Sequence, residues 1–143
     1  MNNIQLTMEV EVNPTEDQEK VKAAVQNLFS YSSIESTPRR LGSLLIMRGD
    51  GKEMLSKFYD RLRQERIISA ARRVMLDGID GDSIIFHLNK QAAYAKRISF
   101  SETGESPLGV IRVEIKCDNS KELIDWLAPR MTSLPKKSRI TPF

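Results

Sequence analysis

The residues from Ile4 to Val12 alternate strictly, and this constrains the chain more than any other feature. Ile4, Leu6, Met8, Val10 and Val12 are apolar, while Gln5, Thr7, Glu9 and Glu11 are polar or charged. Successive side chains of a β-strand point to opposite faces, so the run predicts a strand with one face buried and one left to water. Ile111, Val113, Ile115 and Cys117 alternate with Arg112, Glu114 and Lys116 in the same way and predict a second such strand.

Between them, helical and strand periods interleave. In "NPTEDQEKVKAAVQNLF", Asn13 is placed to cap, Pro14 to occupy the first helical position and Glu16 to return the capping-box bond. Val21, Ala24, Val25, Leu28 and Phe29 form one stripe, which predicts a helix from about Pro14 to Phe29. Leu41 to Arg48 is apolar on both faces and is expected as a central strand, with a short partner near Ser33 to Glu35. "SIIFHLN" predicts another strand, "NKQAAYAKR" a short helical segment capped by Asn89, and Ile98 to Phe100 a further short strand. "TGESPLG" is loop material, and "NSKELIDWLAP" predicts a helix with Asn119 and Glu122 as its capping box and Pro129 as its stop.

The long helical stretch from Met54 to Met75 contradicts itself. At about 100° per residue, Met54, Leu55, Phe58, Tyr59 and Leu62 point to one side, whereas Ile67, Ile68, Ala71, Val74 and Met75 point nearly to the opposite side. One straight helix cannot bury both stripes against one sheet. The expectation is a break near Arg63 to Arg66; the alternative is that the later stripe packs on another element or a second subunit. The element order predicts an α+β fold, a two-layer sandwich with helices packed on one face of a largely antiparallel or mixed sheet. Residues 1–131 are expected to form one domain, followed by a basic, flexible tail at 132–143.

A chain of 143 residues can bury a sizeable core without disulfides or metals, and 40% apolar with 29% charged residues is ordinary globular composition. Cys117 is the lone cysteine, so no intramolecular disulfide forms. No apolar run approaches the roughly 20 residues needed to cross a bilayer, and the start carries no signal pattern, so a soluble, cytoplasmic protein is expected. Net charge is only +3, so any site for an anionic partner must come from local clustering.

Catalytic patterns fail one by one. His87 is the only histidine and lies in a predicted strand, which favours a structural role over general base catalysis. Cys117 shares a strand face with apolar neighbours and is expected as a buried, inert thiol. "DGIDGD" lacks the calcium-loop pattern, and "GDGK" is too short for a phosphate-binding loop. No enzyme activity, metal site or cofactor is expected.

What remains is basic. "RLRQERIISAARRVML" holds five arginines, of which Arg66 and Arg73 fall opposite the apolar stripe, as on any solvated helix face. In "LNKQAAYAKR", alanines leave the backbone accessible, Lys90, Lys96 and Arg97 supply charge, and Tyr94 supplies a stacking face, the ingredients of a single-stranded RNA contact. The competing reading is a short helix packed closely on the sheet through its alanines. Arg39 and Arg40 add a third basic group on a loop, so the three groups together could cradle a phosphate backbone.

The strings "TEDQEKV", "AARRVML", "LNKQAAYAKRISF", "ESPLGVI" and "LIDWLAP" together resemble an archaeal family of small proteins described as RNA-binding. That family's fold is similar to that of the ribosomal protein that binds five-S RNA. The resemblance runs from the first strand to about Pro129 and implies a two-layer α+β fold with RNA as the partner. It implies no enzyme activity. "LNKQAA" and "ESPLG" are its most recognisable strings, which carries a binding role onto Asn89, Lys90 and Gln91. The alternative function is a protein-interaction or homodimerisation module whose later helical stripe packs on a partner.

Overall fold

The computed structural model describes residues 3–101 and 109–130. The expected loop "TGESPLG" lies almost wholly outside these residues, and the expected tail at 132–143 lies entirely outside them.

The alternating segment becomes β1 (Gln5–Val12), near the centre of a six-stranded sheet. Its neighbours are β3 (Ser43–Asp50) and β6 (Val110–Lys116), and Met8 lies opposite both Met47 and Val113. Outward from β3 comes β2 (Ser33–Pro38); outward from β6 come β5 (Ser83–Asn89) and the two-residue β4 (Ile79–Asp80). Every neighbouring pair is antiparallel. The expected strand at Ile98 to Phe100 reduces to one bridge, Leu88 with Phe100, flanked by hydrogen bonds from Asn89 N–H to the Ser99 carbonyl and from Ser101 N–H to the His87 carbonyl.

Helices α1 (Gln18–Gln26), α2 (Ser56–Gln64), α3 (Ile68–Asp77), α4 (Lys90–Tyr94) and α5 (Ser120–Leu127) cover one face. A 3-10 turn, Lys52–Leu55, leads into α2. Leu6, Met8 and Val10 of β1, Ile111, Val113 and Ile115 of β6, and Ile84, Phe86 and Leu88 of β5 all point into that layer and are buried. Phe29, Phe58, Phe86 and Phe100 run through it as a ladder of ring contacts at 4.9, 5.6 and 5.8 Å. Each large apolar side chain so buried contributes about 1.5 to 3 kcal/mol. The opposite sheet face carries Thr7, Glu9, Ile85, His87, Arg112 and Glu114, all half-buried.

One local expectation changes and one is met. The first helix begins at Gln18, with the Asp17 carboxylate accepting from Glu19 N–H, rather than at Pro14. The Glu16 carboxylate does accept from Asn13 N–H as expected, but Glu16 N–H donates to the Asn13 backbone carbonyl, so the pair closes a turn ahead of the helix. The Glu16 carboxylate is held there by two further partners described below. The break in the long helical stretch falls at Glu65 to Ile67, between α2 and α3, as the opposed stripes require. Ala71 and Met75 are then fully buried, and Ile67, Ile68 and Val74 pack half-buried on the same core. A single chain therefore covers the later stripe without a second subunit.

Candidate nucleic-acid interface

The five arginines of the α2–α3 stretch divide by task. Arg63 donates to the carbonyls of Tyr59, Leu127 and Trp126, and Arg72 donates to the Ala128 carbonyl and the Asp125 carboxylate. Both guanidinium groups thus serve the carbonyl end of α5, where a helix leaves acceptors unpaired and favours positive charge. These two arginines hold the fold together. Arg66 and Arg73 are exposed, and Arg61 is half-exposed, 3.9 Å from the Glu65 carboxylate.

α4 behaves differently from its sequence reading. Asn89 caps it, its side chain accepting from Ala92 N–H, so that amide is already engaged. Lys90 requires correction as a phosphate contact, because it has no exposed surface at all. Its ammonium donates to the Glu11 carbonyl at 2.6 Å and to Glu16 Oε1 at 2.9 Å. An ammonium is buried only when paired and hydrogen-bonded, and both conditions are met here from inside the chain. Tyr94 requires the same correction as a stacking platform. It is half-buried against the core, and its hydroxyl donates to Glu16 Oε2 at 3.1 Å. Burial and then the Glu16 carboxylate push this phenol up to about 12. Burial alone would raise the Glu16 carboxyl, but the Asn13 N–H, the Lys90 ammonium and the Tyr94 hydroxyl outweigh it and hold the group below its ordinary value. Gln91 remains exposed on α4.

Lys96 and Arg97, together with Arg66, occupy a more specific place. Both α2 and α4 end in a Schellman motif. At α2, Ile67 N–H donates to the Leu62 carbonyl and Arg66 N–H to the Arg63 carbonyl; at α4, Arg97 N–H donates to Ala92 and Lys96 N–H to Ala93. Such a motif places one residue in the left-handed region, usually glycine. Here those residues are Arg66, at φ 58°, and Lys96, at φ 62°. The Glu65 carboxylate clips the two helix ends together, accepting from Ile98 N–H at 3.1 and 3.3 Å. Among the described residues, Arg66, Lys96 and Arg97 make no ion pair.

Beside these ends runs a groove of about 330 Å³ lined by Gln26, Asn27, Lys57, Asp60, Arg61, Gln64 and Lys96. Lys57 donates to the Gln26 carbonyl at the end of α1, and Asn27 donates to the Ala93 carbonyl of α4, so three helix ends converge on it. Three cations face a single carboxylate. Lys57, Arg61 and Gln64 were absent from the sequence-derived set. The available signal was that Lys57, Arg61 and Gln64 recur at helical spacing along α2, away from the buried Phe58 and Leu62.

The three basic groups expected to act together are not brought together. Arg39 and Arg40 are exposed on the turn between β2 and β3, and Arg39 lines a cavity of about 410 Å³ on the open sheet face with Glu9, Glu11, Leu44, His87 and Arg112. That is the side away from the helices. Arg73 lies on α3 beside a separate groove with Leu76 and Pro129. Burial, then the neighbouring Arg112, lowers the His87 pKa, which disfavours the charged imidazolium. Cys117 is buried, and burial pushes its thiol up, which disfavours the reactive thiolate. No cluster of metal-ligating side chains is found among the described residues, and no helix there is long and apolar enough to cross a membrane.

Fold and surface together define a single-sheet α+β domain with cations gathered at its helix ends. The chain belongs to the family described as RNA binding, whose model matches residues 5–117. It is 45% identical over 127 residues to a UPF0201 protein of Methanopyrus kandleri, covering 82% of this chain and 80% of that protein. A UPF0201 protein of Aeropyrum pernix is likewise 45% identical, over 130 residues that cover 88% of this chain and 85% of the relative. Among solved structures, the crystal structure of a UPF0201 protein from Methanococcus jannaschii superimposes with a TM-score of 0.78 at 29% identity, covering 87% of this chain and 99% of that one.

Proposed function

We propose that this protein is an RNA-binding module, acting in ribosomal RNA or RNA-processing assemblies and without catalytic activity of its own. The observation that carries the reading is the pair of helix ends at Arg66 and Lys96, where cationic side chains hold backbone positions that favour glycine. A left-handed residue other than glycine costs on the order of 1 kcal/mol, and an exposed arginine or lysine there gains no ion pair in return. Contact with phosphate supplies a reason to keep the charge. Arg97 is exposed next to Lys96, and Arg61 and Lys57 extend the basic surface into the neighbouring groove. The partner is RNA, and the protein acts in the cytoplasm.

The test replaces Lys96 and Arg97 together by alanine. RNA affinity, measured by fluorescence anisotropy at low salt, should fall about tenfold or more. Unchanged affinity in a stably folded double variant would sink this placement of the site.

A second reading is favoured by one observation: all six residues of β2, an edge strand, are exposed. An unpaired edge is a template for another strand. A protein partner or second copy would be met there, and light scattering showing a concentration-dependent dimer abolished by Glu35→Pro would establish it.

A further inference from the structure

We propose that the RNA is a double-helical one, gripped through its phosphates and 2′-hydroxyls rather than through unstacked bases; this rests on the RNA-binding reading above. Proteins that hold single strands without strong sequence preference offer exposed aromatic faces on which bases stack. Among the described residues, no aromatic side chain is among the exposed large apolar ones.

The rings nearest the surface are already engaged. Tyr59 and Trp126 stack at 4.8 Å, and both outer faces of the pair are covered by cations. The Arg63 guanidinium lies 3.5 Å from the Tyr59 centroid, and Lys52 Nζ lies 4.4 Å from the Trp126 centroid. A base stacking there would have to displace a cation that the ring already attracts. Tyr94 is tied to Glu16, the half-buried Tyr31 accepts from Gln26 through its hydroxyl, and Phe100 meets Phe86 edge-on.

The groove at the helix ends has a different chemistry. Lys57, Arg61 and Lys96 suit phosphate oxygens, and Gln26 and Gln64 add amides, each of which can donate and accept. A 2′-hydroxyl also donates and accepts, and it is the group by which a protein distinguishes RNA from DNA. An A-form helix displays these hydroxyls along a wide, shallow minor groove flanked by phosphates. Cations interspersed with amides match that surface.

The experiment measures the full chain by fluorescence anisotropy against three probes: a blunt RNA duplex, the DNA duplex of the same sequence, and an oligouridine strand of equal length. The RNA duplex should bind about tenfold more tightly than oligouridine, and more tightly than the DNA duplex. Gln64→Ala should narrow the gap between RNA and DNA duplexes, while Arg61→Ala should weaken both in parallel. Thermal melts confirm that each variant is folded. Oligouridine binding as tightly as the RNA duplex would overturn the inference and leave RNA binding standing. Equal affinity for the two duplexes would overturn the role of the 2′-hydroxyls. Failure of all three probes at low salt would overturn the RNA-binding reading, and this inference with it.

Discussion

Lys90 decides how the α4 segment must be understood. Its ammonium reaches the Glu11 carbonyl and the Glu16 carboxylate, drawing together the end of β1, the turn before α1 and the start of α4. Replacing it with methionine keeps the length but removes the charged donor from the Glu11 carbonyl and from the Glu16 carboxylate, which keeps only the Asn13 N–H and the Tyr94 hydroxyl. Removal of one partner from a buried pair costs about 3 to 5 kcal/mol. Chemical denaturation of Lys90→Met should show a loss of that order, with the salt dependence of RNA binding unaltered in the folded fraction. A loss below about 1 kcal/mol would mean that the Asn13 N–H and the Tyr94 hydroxyl suffice for Glu16. The Glu16 carboxyl also sets an acid limit. Its folded pKa is below the ordinary 4.5, so its contribution is fully present above that value and is lost as the pH falls through the lowered folded value. Glu16→Gln should remove this part of the acid dependence. Denaturation midpoints that fall equally steeply in both proteins below pH 4.5 would assign the acid limit to other groups.

At the scale of elements, the ends of α2 and α4 allow stability and binding to be separated. Arg66→Gly places the preferred residue in the left-handed position and should raise stability by about 1 kcal/mol, read from the denaturation midpoint. The same substitution should weaken RNA binding. Lower stability would mean that the side chain supports the fold, and its charge would then need no ligand to explain it. Much of this element structure was legible in the sequence. The opposed stripes of Phe58 and Leu62 against Ala71 and Met75 required a break, because 100° per residue fixes which side chains share a face. The alternations of β1 and β6 also gave their buried faces directly. The inward turn of Lys90 was not legible, since its acceptors lie 79 and 74 residues away in the chain. Arg63 and Arg72 were equally opaque: their roles depend on α5 packing its carbonyl end beside them. Sequence distinguishes a charged residue from an apolar one, but not an exposed charge from one that a distant helix end will take up.

At the scale of the whole molecule, the sheet separates two basic surfaces that the sequence could not tell apart. Arg39 borders the open face among Glu9, Glu11, His87 and Arg112, whereas Lys57, Arg61, Arg66, Lys96 and Arg97 belong to the helical layer. A stiff double helix lying along the helix ends has no reason to reach Arg39. If four phosphates are contacted there, log affinity should fall against log salt with a slope of about −3 to −4, since each contact with a double helix contributes about −0.9. The Lys96→Ala and Arg97→Ala double variant removes two of those contacts and should flatten the slope to about −2. Replacing Arg39 and Arg40 together should leave the slope unchanged, as should replacing Lys121, which is exposed on α5. The net charge of +3 is too small for attraction over the whole surface to mimic this pattern. Equal, small losses from all of these substitutions would mean that charge acts diffusely. A flattened slope in the Arg39 and Arg40 variant alone would move the interface to the open face of the sheet.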